Sequence, residues 1–248
     1  MSYIGGKARG AAHILAVLND PRYDGLDYLE PFVGMAHVLR RVERKGSYTA
    51  SDGNALVMRL LHAIQAGEPL PRVEGRERYA QLKAASEPSL ARAVAAFQYS
   101  FNGREFGGYV STYRRASGRT DDIPASRANY YAKLHISPPF AHATLTHCDY
   151  RAHSPSQCLV YCDPPYHGTT GYTGAGAFDH AAFWETMRVW SQDNAVFISE
   201  YAAPPDFACI ASAPKPSCLA GGHKQTARVE RLFIHRSRLS LVAPSAAA

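Results

Sequence analysis

Leu159-Val160-Tyr161-Cys162-Asp163-Pro164-Pro165-Tyr166 is a four-residue apolar run ending in an acid, two prolines and an aromatic. A run of that length and composition reads as a buried strand. The loop after it is rigid. Each proline fixes φ near about −65° and removes a backbone N–H donor. The carbonyls of Asp163 and Pro164 are left open to a ligand, beside the Asp163 carboxylate and the Tyr166 ring. Such a loop can hold a planar ring that carries an amine and accept the hydrogen bonds of that amine. Asp-Pro is also ordinary turn chemistry, so the tetrapeptide alone leaves a turn and an active site both open.

Working outward, the flanking pattern is that of an α/β sheet. Leu26-Asp27-Tyr28-Leu29 reads as a strand ending in Glu30-Pro31-Phe32-Val33-Gly34, and a helix is expected through Val38, Leu39 and Val42. Residues 47–50 read as a second strand ending at Ser51-Asp52. A helix comes next, from Asn54 to Ile64, with Leu56, Leu60 and Ile64 on one face. A further helix over 9–18, with Ala11, Ile14, Leu15 and Leu18 on one face, comes just after Gly5-Gly6-Lys7. The alternation is the opening of a parallel sheet. It breaks at about residue 66. Two helical segments, near 76–85 and 89–99, lead into a Gly-, Tyr- and Arg-rich segment from Phe101 to Arg119. Ordinary αβ connections run about 2–6 residues, so this stretch reads as an inserted subdomain. The sheet resumes at about 144–150 and 158–162. Beyond it lie a helix at 179–191 (Phe183, Trp184, Met187, Trp190), a strand at 195–199 and a late strand at 228–235, the last with Val229, Leu232 and Ile234 as its apolar positions. The expected organisation is a catalytic domain of residues 1–65 and 144–240, an inserted and mainly helical subdomain of residues 66–143, and a tail at 241–248.

Composition narrows the class. The 248 residues are 46% hydrophobic, which suits a sizeable core. No run of about 18 apolar residues is present for a membrane span. Met1 to Lys7 has no apolar leader, so a cytoplasmic location, in a bacterium or a phage-infected host cell, is expected. Five cysteines at 148, 158, 162, 209 and 218 show no Cys-x-x-Cys pair, so reduced thiols are expected rather than zinc. The net charge is +6, and residues 62–147 hold eleven Lys and Arg against seven acids, a surplus of four. Positive charge concentrated in the insertion suits a polyanionic partner.

Three strands end in acid-bearing loops: Glu30 to Gly34, Ser51-Asp52 and Asp163 to Tyr166. In open parallel sheets, ligands sit beyond the carboxyl ends of the strands. Gly34 lets backbone approach a ligand closely. Asp52 suits a ribose diol, because an ionised carboxylate accepts and hydroxyls donate. As bland readings, Glu30 answers to a helix N-terminal charge, Asp52 to an N-cap, and Lys7 to a solvated surface lysine. Neither a phosphate loop nor a Gly-x-Gly-x-x-Gly fingerprint is present. S-adenosyl-L-methionine meets these conditions, having ribose and adenine without phosphate, and a carboxylate for Lys7.

Tyr3-Ile-Gly-Gly-Lys7, Glu30-Pro-Phe-Val-Gly34, Asp52, a long insertion and Asp163-Pro-Pro-Tyr166, in that order, resemble the Dam-like (alpha-group) DNA adenine methyltransferases. Phe106-Gly-Gly-Tyr109, Tyr161 to Thr170, and Phe178-Asp-His180 through Phe183-Trp184 look like phage-borne members of the group. The resemblance spans roughly residues 3–235. It implies a Rossmann-like S-adenosylmethionine-dependent methyltransferase sheet, with the insertion as target-recognition subdomain. It also implies cofactor contacts from Tyr3, Lys7, Glu30, Phe32, Gly34, Asp52, Asp149, Tyr150 and Asp163, and catalysis by Asp163, Pro164, Pro165 and Tyr166. Two departures stand out: Ala36 where the family often has a second glycine, and Tyr3 where it commonly has Trp.

The implied activity is methylation of the adenine N6 amine in double-stranded DNA, by a monomer or weak dimer, with no metal. Asp163 and the Pro164 carbonyl would accept the amine protons and Tyr166 would stack on a flipped-out base. Tyr109, Tyr113, Arg114, Arg115 and Arg119 interleave aromatics with cations and would contact DNA. His167, Thr169, Thr170 and Tyr172 would form a lid, Ser199 or Tyr201 would meet the base, and Glu230 matches a late family position of unclear role. Other readings are a cytosine-N4 enzyme, which more often carries Ser at the first motif position, a catalytically silent DNA-binding homologue, and an RNA or protein methyltransferase. Glutamine-modifying enzymes use Asn in place of Asp163.

Overall fold

A computed structural model describes residues 7, 11–114, 117–166, 178–214 and 229–242. The helices are α1 (Ala12–Leu18), α2 (Ala55–Gln65), α3 (Gly75–Ala84), α4 (Leu90–Phe97), α5 (Ile123–His135), α6 (Pro138–Ala141) and α7 (His180–Trp190). The strands are β1 (Tyr28–Glu30), β2 (Tyr48–Asp52), β3 (Thr112–Arg114), β4 (Thr120–Asp122), β5 (Thr144–His147), β6 (Leu159–Cys162), β7 (Ala195–Glu200), β8 (Phe207–Pro214) and β9 (Val229–His235). Seven strands form one mainly parallel sheet of order β5-β2-β1-β6-β7-β9-β8, while β3 and β4 make a separate ribbon. This is the α/β architecture expected from the strand pattern, in the Rossmann-like form that the resemblance implied. By contacts the chain divides into two compact units, residues 1–8, 33–41 and 50–150, and residues 9–32, 42–49 and 151–248.

In the second unit, β6 lies parallel to β1 (Leu29↔Val160) and to β7 (Tyr161↔Phe197). Every residue of β6 and β7 is buried, as strands covered on both faces require. β9 runs antiparallel between β7 (Ser199↔Leu232) and β8 (Ala213↔Glu230). Helix α7 starts at Asp179, whose side chain accepts from the Ala182 N–H at 2.9 Å, and it buries Phe183, Met187 and Trp190 along one face. Asn194 then ties the unit together. Its oxygen accepts from the Cys158 N–H at 2.8 Å, and its amide donates to the Pro155 and Trp190 carbonyls, both at 2.9 Å.

In the first unit, α2 is capped by Asn54, whose oxygen accepts from the N–H groups of Leu56 (2.9 Å) and Val57 (3.3 Å). Helix α4 is capped by Ser89 and buries Ala93 through Phe97. Helix α5 is capped by Asp122 and carries Pro124 in its first turn.

Three expectations need correction. No α-helix forms through Val38 and Leu39. Gly34 and Ala36 take left-handed φ angles of 48° and 54°, which interrupts a right-handed helix, and a short 3-10 turn at Leu39–Arg41 comes after them. The insertion, mainly helical as expected, also holds the β3–β4 ribbon, with Gly118 at φ 83° in its turn. On β9, Val229 is exposed and Glu230 is buried, because the period-2 register of Leu232 and Ile234 points Glu230 inward. Finally, Leu241 closes the 3-10 segment Arg236–Leu241 and its carbonyl accepts from the Tyr23 hydroxyl, so the tail begins later than 241. Residues 243–248 lie outside the described residues.

Candidate functional site

Strand order reverses between β1 and β6: β2 and β5 lie on one side, β6 and β7 on the other. Crevices at such a reversal are where open α/β sheets bind ligands. Glu30 is the last residue of β1, and Asp163 to Tyr166 come directly after β6. Both segments belong to the second unit. The Tyr28 hydroxyl, two residues back on the same face of the strand, donates to the Glu30 carboxylate at 2.8 Å. Glu30 therefore serves as a buried acceptor on the sheet rather than a helix-end charge.

Within the tetrapeptide, Asp163 and Pro165 are half-buried, while Pro164 and Tyr166 are buried. The Tyr166 hydroxyl donates to the Glu230 carboxylate on β9. Its ring meets the Tyr201 ring edge-on, with centroids 4.7 Å apart and planes at 85°. Burial, followed by the charges of Asp163 and Glu230, pushes the Tyr166 hydroxyl far above its ordinary titration range. Tyr161 is raised in the same way, by burial first and then by Asp163, Glu30 and Glu230. Asp163 and Glu230 thus act on both tyrosines, and Glu30 on Tyr161. Ser199 is fully buried and hydrogen-bonded to Tyr161 at 2.8 Å, so of the pair expected to meet a base only Tyr201 keeps exposed surface. Phe32 is half-buried against Phe178 (6.0 Å) and Phe183 (5.9 Å).

The remaining described cofactor-side residues belong to the first unit. Asp52 is buried, and its two oxygens accept from the N–H groups of Gly34 (3.0 Å) and Asn54 (2.9 Å). Asn54, not Asp52, caps α2. Burial raises the Asp52 carboxyl to about 6, against the lowering effect of those two hydrogen bonds and of His147. A carboxylate offers about four lone-pair sites, so acceptor capacity remains after the two backbone bonds. The Asn54 amide in turn donates to Glu105 at 2.7 Å, a tie that nothing in the local sequence signals. Lys7 is buried rather than solvated, and its carbonyl accepts from Arg41 at 3.3 Å. Asp149 is exposed and Tyr150 buried. Tyr3 lies outside the described residues, as do His167, Thr169, Thr170 and Tyr172.

Of the five residues expected to contact DNA, the four that are described fall into two settings. Tyr113 and Arg114 are exposed on β3, opposite Asp121 and Thr120. Arg119, at the turn, pairs with Asp121 at 3.1 Å. Arg115 lies outside the described residues. Tyr109 is instead packed: its ring lies parallel to Tyr99 at 6.3 Å, beneath the Arg76 guanidinium, and lines a cavity of 780 Å³.

No protein-family model matches the chain, and no curated protein matches it. Among solved structures it is similar to the rRNA methyltransferase AviRa from Streptomyces viridochromogenes, at 12% identity over 95% of this chain and 88% of that one, with a TM-score of 0.40. It is also similar to a conserved hypothetical protein from Streptococcus pyogenes, at 11% identity over 92% and 96% of the two chains, with a TM-score of 0.38. Likenesses this loose carry no inference about activity.

Chemically, the second unit offers two buried tyrosines among three carboxylates and a rigid Asp-Pro-Pro-Tyr turn, a setting that favours hydrogen-bond acceptance and stabilises positive charge. The first unit offers a buried carboxylate already oriented by two backbone N–H groups, together with a buried lysine.

Proposed function

We propose that the protein is an S-adenosylmethionine-dependent methyltransferase that modifies the N6 amine of adenine in DNA. The observation that carries this reading is the position of Asp163-Pro-Pro-Tyr166 at the carboxyl end of β6, beside β1, where strand order reverses. The donor set fits the cofactor. Asp52 has acceptor capacity for ribose hydroxyls, and Lys7 supplies a cation for a carboxylate. When bound, the cofactor supplies an electrophilic methyl group on a sulfonium. The chain's own residues prepare the other partner. The adenine amine is a weak nucleophile because its lone pair is delocalised into the ring. The Asp163 carboxylate and the Pro164 carbonyl would accept hydrogen bonds from its two N–H groups as the nitrogen pyramidalises, and the one proton lost on methylation would leave from that nitrogen. Tyr166 would provide the face on which the ring rests. The gain comes from positioning and preorganised charge. The basic insertion, with Tyr113 and Arg114 exposed on the ribbon, would hold the phosphates.

The test is to incubate the protein with labelled S-adenosylmethionine and with DNAs of varied sequence, and RNA in parallel, then digest and identify the modified nucleoside. N6-methyladenine from DNA, lost in Asp163→Ala, is expected. Label in 4-methylcytosine, or in RNA alone, would redirect the assignment, and label no higher than the Asp163→Ala background would leave a silent DNA-binding homologue.

A further inference from the structure

The Tyr166 side chain has two free torsions, and the structure restrains both from outside its own loop. At one end the hydroxyl donates to Glu230, which projects inward from β9. Along the ring Tyr201 packs in a T-shaped contact, with centroids 4.7 Å apart and the planes at 85°. Tyr201 is held in its turn: its N–H donates to the Glu200 carboxylate at 2.5 Å, and its carbonyl accepts from Arg231. Arg231 is the next residue after Glu230 on β9, so one strand fixes both partners of the Tyr166 ring.

Glu230 is 4% exposed. A carboxylate taken out of water costs several kcal/mol, and apolar residues of the same volume usually serve stability as well or better. Packing therefore does not explain an acid here. A hydrogen bond from a phenol to a carboxyl oxygen is directional, which is what locking a ring requires.

We propose that Glu230 is a positioning residue that locks the Tyr166 ring, through its hydroxyl, as a preformed platform for a planar base. The proposal rests on the reading of Tyr166 as the stacking surface. Ordering the ring in advance removes that entropy from the binding step and holds the amine in line with the acceptors on Asp163 and Pro164. Glu230 acts through Tyr166 and touches no reacting atom.

The experiment measures the three-bond couplings from the backbone N and C′ to Tyr166 Cγ, which report its χ1 rotamer, by NMR in the wild type, Glu230→Gln and Glu230→Met. Gln keeps an acceptor, while Met fills the volume without one. A single χ1 rotamer is expected in the wild type and in Glu230→Gln, and averaged couplings in Glu230→Met. A single rotamer in Glu230→Met would overturn the proposal. This readout does not depend on methyl transfer, so it decides the proposal even if the protein methylates nothing, an outcome that would sink only the functional reading. The kinetic arm is a double-mutant cycle. Glu230→Met is expected to lower kcat/KM on DNA by about tenfold to a hundredfold, with Glu230→Gln recovering most of it. In a Tyr166→Phe background the same Met substitution is expected to have almost no effect. An equal loss in both backgrounds would show that Glu230 acts independently of Tyr166, against the proposal.

Discussion

Asp52 gives the sharpest quantitative handle on the first unit. Its carboxyl titrates at about 6 in the folded chain against an ordinary value of 3.8, with burial as the main cause. The difference is about two pKa units, and at about 1.4 kcal/mol per unit it corresponds to roughly 3 kcal/mol. The sign is set by proton binding. Between about pH 4 and pH 6 the folded chain holds a proton that the unfolded chain has released, so this residue makes stability fall as pH rises through that window. Asp52→Asn removes the titration. Asparagine also loses one of the two acceptor bonds to Gly34 and Asn54, but that loss is the same at every pH. Comparing urea unfolding of the two proteins at pH 4 and pH 7, at fixed ionic strength, cancels it. The variant's stability relative to the wild type is expected to rise by about 3 kcal/mol from pH 4 to pH 7. A relative stability that stays level would refute the idea that burial holds a proton on Asp52. Cofactor binding should move the opposite way. Ribose hydroxyls need an ionised acceptor, so affinity for S-adenosylmethionine, measured by calorimetry, is expected to weaken as pH falls through about 6 in the wild type and to show no such step in the variant.

Asn194→Ala removes three hydrogen bonds at once, one buried and two part-buried, and is expected to cost roughly 2–4 kcal/mol in urea unfolding; a change below about 1 kcal/mol would mean the clamp is dispensable. Asn54→Ala strips the cap from α2 and should cost about 1–2 kcal/mol, seen as a drop of several degrees in Tm, and an unchanged Tm would count against it. Phe183→Ala opens the aromatic cluster at Phe32 and Phe178, with an expected loss of about 3–5 kcal/mol that a repacked cluster would not show. For the ribbon, Arg114→Ala should weaken DNA binding evenly across sequences and lower the salt slope by about one, whereas an unchanged slope would free Arg114 of any phosphate contact.

Much of the sheet is legible in the sequence because its strands announce themselves. Leu159 to Cys162 and Ala195 to Ser199 are apolar runs, and runs of that kind become strands buried on both faces. Helices α2 and α7 are legible from apolar spacing. Where the pattern misleads, short-range order competes with something it does not encode. Val38, Leu39 and Val42 keep a helical spacing and are buried, yet two left-handed residues upstream turn the chain into a 3-10 segment. Strand β8 alternates weakly and gives no local signal, since its place is set by pairing with β9, which comes later in the chain. In the candidate site, the acids and Tyr166 can be found by motif order. Their supports are distant in the chain: Glu230, the partner of Tyr166, lies 64 residues away, and Glu105, the partner of the capping Asn54, lies 51 residues away and leaves no local trace. Glu230 does leave one signal: its register with Leu232 and Ile234, which favours an inward acid over an inward Val229.

Synthesis of the polypeptide is constrained by where β9 sits. It comes after both β7 and β8 in sequence but lies between them in the sheet. During translation β7 therefore emerges with a bare hydrogen-bonding edge, and its proper neighbour is not available until residue 235 has left the ribosome. At about 5–20 residues per second, that edge waits a few seconds beside any other nascent strand. An early stop codon upstream of Val229 would leave an exposed apolar strand, the usual template for aggregation. Premature termination should thus yield insoluble chains rather than shorter working ones.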